Sequence, residues 1–171
     1  NREGTGIGEN SAMPQPVVEL KFERRASLRA YNTFGLPAVA ATLVRVASEA
    51  EVRRVVDHPE FGVGPKLILG GGSNLVFTRD PQAVVLRIEV RGLRLVEARA
   101  DAFIVEAGAG ENWHDTVAWT LEQGWPGLEN LALIPGTMGA APVQNIGAYG
   151  VEFAERFESL SAVDLMTGRS V

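Results

Sequence analysis

Between Leu133 and Gly150 the chain reads LIPGTMGAAPVQNIGAYG, with four glycines, two prolines and no charged side chain. Such a stretch is too broken for one regular helix or strand, yet too apolar to lie open in water. Its backbone has to be covered, and each buried N–H and C=O group then needs a partner. A large, flat ligand with polar edges supplies such partners. An Ω-loop packed by its own side chains is the alternative. Length and the lack of charge favour a ligand wall, because long ordered loops are commonly functional.

Two further glycine-rich turns point the same way. Gly70, Gly71, Gly72, Ser73 and Asn74 follow an apolar run and precede Leu75 and another apolar run. Consecutive glycines let several N–H groups face one concavity, which suits anionic oxygens and a diphosphate above all. It is not a Walker loop, since no Gly-Lys-Ser/Thr follows, and not a dinucleotide-fold fingerprint, since a strand rather than a helix is expected next. A plain tight turn is the competing reading, although a hairpin usually needs one glycine. Replacing Gly72 with Asp is expected to cost ligand affinity more than folding. Gly108-Ala-Gly110 precedes a helix start, where amides receive phosphate. The third glycine is missing because position 113 is Trp, so Asn112 reads first as a simple N-cap.

The remaining pattern is α+β. Strands are expected at Val39–Ala47, Lys66–Gly70, Leu75–Thr78 and Ala83–Val90, the last with Val84, Leu86, Ile88 and Val90 on one face. Leu93–Arg99 and Ala102–Ala107 form a hairpin around Ala100 and Asp101. Ser48 and Glu51 read as a capping box that opens a helix carrying Val52, Val55 and Val56 and ending near His58. A second helix spans Asn112–Gln123, with Trp113, Val117 and Leu121 spaced by four and Gly124 just past its end. Ser159–Met166 reads as a largely buried strand, with a turn at Thr167 and Gly168 and a return beginning at Arg169. Trp113, Trp119 and Trp125 are assigned to core or interface, and His114 to a cap or surface position.

Composition sets the outer limits. The 171 residues are 46% hydrophobic and 22% charged, a folded rather than a disordered balance. A formal charge of −5 argues against nucleic acid as a partner. No apolar run is long enough for a membrane span. With no cysteine and two histidines, disulfides, thiolate chemistry and an obvious metal cluster are excluded, which fits a cytoplasmic location. No protein partner is evident.

In order, Asn32–Gly35 (NTFG), Leu67–Asn74 (LILGGGSN), Gly108–Trp113 (GAGENW), Gly127–Gly136 (GLENLALIPG) and Gln144–Glu152 (QNIGAYGVE) resemble the UDP-N-acetylenolpyruvoylglucosamine reductase family, in the wording of its type I branch. The likeness runs from about Ser27 to Val171. Five motifs in sequence are specific where one would be weak. The resemblance implies a vanillyl-alcohol-oxidase-like fold in which two α+β lobes clasp FAD. It implies that NADPH reduces the flavin, that hydride passes to the enolpyruvyl double bond of a UDP-sugar, and that the product serves peptidoglycan synthesis.

By that resemblance, Gly70, Gly71, Gly72, Ser73, Asn74 and Leu75 cradle the FAD diphosphate. Pro135, Gly136, Thr137, Gly139 and Ala140 line the flavin and ribityl chain, together with Gln144, Asn145, Gly147 and Ala148. Tyr149 reaches toward substrate or serves as a packing tyrosine. The family's arginine, its serine proton donor and its glutamate match no position here, so no catalytic residue and no metal ligand is assigned. Two other readings are a flavin-binding module without reductase activity and another oxidoreductase of the FAD fold. The expected organisation is a disordered or added tail over 1–16, a first lobe over 17–92 and an incomplete second lobe over 93–171. The break after Val171 suggests a chain that is the first portion of something longer.

Overall fold

The computed structural model describes residues 19–171, so the expected tail over 1–16 lies outside the described residues. A four-stranded mixed sheet comes first, built from β1 (Lys21–Ser27), β2 (Val39–Val46), β3 (Lys66–Leu69) and β4 (Val84–Ile88) in the order β1-β2-β4-β3. β1 runs antiparallel to β2, while β2 and β3 each run parallel to β4. The sheet's residues fall into two buried clusters. Leu43, Leu69 and Val85 pack with Ala26, Leu28 and Ala40 in one. Val44, Val46 and Leu86 pack with Val55 and Phe61 in the other. β4 therefore shows the expected face of Val84, Leu86 and Ile88, and it also buries Val85 in the opposite cluster.

α1 (Glu49–Asp57) carries Val55 into the second cluster and starts at Ser48, whose hydroxyl accepts from the Glu51 amide at 3.2 Å. The reciprocal half of the box is displaced by one residue. The Glu51 carboxylate accepts from the Ala47 amide at 2.5 Å rather than from Ser48. Either way one orphan donor at the helix start is satisfied.

β5 (Leu93–Ala98) and β6 (Phe103–Ala107) form the expected hairpin, closed by the Arg99 amide donating to the Ala102 carbonyl at 2.8 Å. α2 (Trp113–Glu122) follows. Trp113 and Val117 enter a third buried cluster with Leu131 and Ala141. The Trp113 Nε1–H donates to the Leu131 carbonyl at 2.6 Å, so the indole leaves no buried donor unpaired. Leu121, expected on the same face, is 43% exposed, and Thr116 and Thr120 are buried instead. Trp119 and Trp125 stack edge to face at 5.3 Å, and Phe103 lies 5.5 Å from Trp125.

Two expectations fail and one element was missed. β1 was not foreseen, because KFERRAS carries charges at most positions and buries only Ala26, as suits an edge strand. Leu75–Thr78 forms no strand, although Leu75 and Phe77 still pack against the first cluster. Ser159–Met166 is not a largely buried strand either. It meets the return segment at one isolated bridge, Val163 with Ser170, supported by paired bonds between Ala162 and Val171. Leu165 packs on the second cluster and Ser170 bonds Glu49 and Arg53, which ties this hairpin to α1.

Candidate functional site

The uncharged segment is neither one helix nor one strand. It makes a 3-10 turn at Met138–Ala140, the single helical turn α3 (Ala141–Gln144), and a minimal hairpin of β7 (Gly147–Ala148) and β8 (Val151–Glu152). Proline at the second position of α3 suits a helix start, where its missing N–H is not needed.

This segment binds the other two glycine turns together. On one side, a Cβ on Gly70 would lie 2.6 Å from Thr137 Oγ1, and one on Gly71 would lie 3.4 Å from the Gly136 Cα. The Asn74 side chain donates to Gln144 Oε1 at 3.2 Å. On the other side, the Gly139 amide donates to the Ala109 carbonyl and the Met138 amide to the Glu111 carbonyl, both at 2.9 Å. The Trp113 amide donates to the Gly136 carbonyl at 3.1 Å. A side chain at Gly70 would crowd Thr137, whereas one at Gly71 would only touch Gly136. Loops scattered over the sequence thus meet at one place.

Where they meet lies a cleft of about 290 Å³, lined by Thr33, Gly71, Ser73, Arg87, Arg91, Gly110, Asn112, Pro135, Gly136 and Thr137. Its volume is at the lower end of the roughly 300–1,000 Å³ of small-molecule sites. It suits the middle of an extended ligand rather than the whole. A larger groove of about 490 Å³ lies beside Val39–Thr42 and Asp80–Val84, and it gathers none of the three loops.

The expected site residues sort into three groups. Gly71, Ser73, Pro135, Gly136 and Thr137 line the cleft. Gly70, Asn74, Gly139 and Gln144 tie loop to loop, and Ala140 continues the 3-10 turn by bonding back to Thr137. The rest lie outside the cleft lining. Gly72 is buried with φ +73, and a Cβ there would sit 1.9 Å from the Tyr31 carbonyl oxygen. Gly72→Asp, expected to cost ligand affinity more than folding, therefore also meets a backbone collision that burdens the fold. Leu75 packs on the first cluster and Ala148 on the third. Asn145 has φ +41, caps α3, donates to Glu152 and accepts from the Ala154 amide. Gly147 lies within the β7–β8 hairpin, 3.1 Å from the Val151 carbonyl if given a Cβ. Tyr149 is 88% exposed.

Charge around the cleft is arranged unevenly. Glu111 accepts from the Gly92 amide at 2.7 Å and from Arg91 at 3.0 Å. Those partners, the Gly92 amide foremost, hold its carboxyl below the usual glutamate value. Arg45 bonds Glu89 at 2.5 Å and the Tyr31 hydroxyl at 2.5 Å. Arg87 has no such arrangement: its Nε and Nη1 are buried without a hydrogen-bond partner. Among the described residues the amides of Gly71 and Ser73 likewise donate to no protein acceptor. Asn112, read as an N-cap, does accept from the Asp115 amide at 3.1 Å, and this places the α2 N-terminus on the cleft. Orphaned donors, exposed glycine backbone and a helix N-terminus together fit an anionic group such as the diphosphate of FAD. Thr33, Arg87 and Arg91 were missed from sequence. The available signal was Arg87 itself, a cation inside the apolar run VVLRI.

The sequence model described as "FAD binding domain" matches residues 40–171. Among curated proteins, the chain is 60% identical over 149 residues to a UDP-N-acetylenolpyruvoylglucosamine reductase of Azoarcus sp. (strain BH72), covering 85% of this chain and 43% of that protein. It is 58% identical over 158 residues to the protein of that name from Burkholderia vietnamiensis, covering 92% and 45% respectively. The crystal structure of UDP-N-acetylenolpyruvylglucosamine reductase from Thermus caldophilus matches with a TM-score of 0.66 and 25% identity, over 90% of this chain and 51% of that one. The chain spans about half the length of the relatives it matches.

Proposed function

The chain belongs to the FAD binding domain family, and we propose that it is the cofactor-holding part of an NADPH-dependent reductase acting on UDP-N-acetylglucosamine enolpyruvate. The observation that carries this reading is the meeting of three glycine-rich loops at one cleft whose walls offer unpaired donors. The names of the curated relatives supply the substrate class. Bound FAD supplies hydride transfer, and NADPH is the donor that recharges it. The residues of this chain bind and orient: Gly71 and Ser73 approach the diphosphate closely, Pro135, Gly136 and Thr137 form the facing wall, and Asn112 aims the α2 N-terminus at the same charge. Gly70, Asn74, Gly139 and Gln144 hold the walls at that spacing.

The product, UDP-N-acetylmuramate, is made in the cytoplasm for peptidoglycan synthesis, and through it serves cell-wall growth and cell division. The two-lobe division near residue 92 belongs to the same proposal, with FAD lying between residues 17–92 and 93–171. Tyr149, whose side chain is exposed, is proposed to serve the UDP-sugar, a role proposed for it alone among the residues of the uncharged segment. The test uses the complete protein. It should purify yellow, with a flavin spectrum, and consume NADPH faster when UDP-N-acetylglucosamine enolpyruvate is added, giving a product two mass units heavier. A colourless, folded protein that takes up no added FAD would overturn the reading.

A further inference from the structure

Arg87 is a charged side chain with an unusual lack of partners. It stands on β4, level with Leu69 of β3 and Arg45 of β2 in the parallel registers. Leu69 is the last residue before Gly70, so the sheet itself sets Arg87 beside the first glycine turn. Arg87 lines the cleft with a side chain 19% exposed, and its Nε and Nη1 have no protein acceptor within hydrogen-bond range. Glu89 is the nearest carboxylate, but at 3.9 Å from Nε it is beyond hydrogen-bond range. The same Glu89 oxygen accepts from Arg45 at 2.5 Å. The other lining arginine, Arg91, is paired with Glu111. The ring of Tyr31 lies 5.4 Å from the Arg87 guanidinium carbon, a contact that uses its face and satisfies no N–H.

A largely buried cation with unmade hydrogen bonds is costly. A fold keeps one where a ligand supplies the missing acceptors, and a flat guanidinium edge fits two phosphate oxygens. Gly71 and Ser73 bring unpartnered amides to the same cleft. We infer that Arg87 is a cofactor-binding residue, whose guanidinium turns onto the diphosphate of the bound dinucleotide, donates to it and neutralises part of its charge. This inference rests on the FAD reading above and assigns a residue that sequence motifs did not reach.

The experiment uses the complete protein freed of flavin. Wild type, Arg87→Met and Arg87→Lys are titrated with FAD and with riboflavin, which lacks phosphate, and each is melted without ligand. Arg87→Met should weaken FAD binding roughly ten- to a hundredfold, the range for lost bonds to a charged group, and leave riboflavin affinity unchanged. Arg87→Lys keeps the charge but not the fork, and should fall between. The ligand-free melting temperature of Arg87→Met should equal or exceed that of wild type, because a largely buried charge with unmade hydrogen bonds has been removed. Unchanged FAD affinity, equal loss of FAD and riboflavin, or a lower ligand-free melting temperature would each overturn the inference and make Arg87 a packing residue. Wild type that binds no FAD would instead bring down the FAD reading, and the inference with it.

Discussion

A methyl group added to Gly72 would meet the Tyr31 carbonyl oxygen at 1.9 Å, on a backbone held at φ +73. A methyl added to Gly71 meets nothing closer than the Gly136 Cα at 3.4 Å. Gly72→Ala should therefore destabilise the fold by at least about 2 kcal/mol, from a strained φ and a backbone that must shift. Gly71→Ala should melt close to wild type and lose FAD affinity, because its methyl enters the cleft wall. Thermal melts beside flavin titrations check both, and the reverse order of effects would mean that the cleft is misplaced. Nothing in the letters GGG distinguishes these neighbours. Their duties diverge because Tyr31 and Asn32, remote in sequence, lie over one of them. Asn145 shows the same limit: it sits in a glycine-rich motif, yet its amide is engaged with Glu152 and Ala154.

Caps and hairpins are local, and they were legible. Ser48 and Asn112 were read as N-caps from the residues that follow them, and both accept the expected amide. Asn112→Ala should cost about 1 kcal/mol of stability from the lost cap, read as a lower denaturation midpoint. The elements that escaped depend on distant partners. β1 has an unremarkable sequence and exists because β2 offers an edge, while Leu75–Thr78 had strand composition and found no ladder. Glu111 links an element to pH. Its carboxyl is held below the usual 4.5 by the Gly92 amide and then by Arg91. A carboxylate favoured by folding contributes its stability above the unfolded value, and loses it as pH falls through the lower folded one. Glu111→Gln should thus melt below wild type at neutral pH, with the gap closing progressively below about pH 4.5. A gap of constant size from pH 7 to pH 3 would show that the carboxylate charge plays no part in holding Gly92 to the α2 start.

At the scale of the molecule, the fold class and the meeting of the loops could be read because the motifs are spaced along nearly the whole chain, each weak alone and specific together. The cleft's charge could not be read, since it depends on parallel register setting Arg87 beside a turn eighteen or so residues earlier in sequence. What the cleft contains also bears on what the chain does by itself. Its polar side chains are Thr33, Ser73, Arg87, Arg91, Asn112 and Thr137, none of them a carboxylic acid or an imidazole. The neighbouring carboxylates, Glu89 and Glu111, are engaged by Arg45 and Arg91. Reduction of an enolpyruvyl double bond needs a proton delivered to carbon as well as a hydride, and a placed general acid contributes roughly 10²–10⁴ in rate. The chain also spans only 43% to 45% of two reductases it closely resembles. The 171 residues produced alone, with FAD and NADPH supplied, should accordingly show no NADPH consumption dependent on UDP-N-acetylglucosamine enolpyruvate, while the complete protein does. The assay follows absorbance at 340 nm, a property of the nicotinamide, with the sugar product identified by mass. Substrate-dependent turnover by the 171-residue chain would place a proton donor within it, and Ser73 and Thr137 would then be the first hydroxyls to replace.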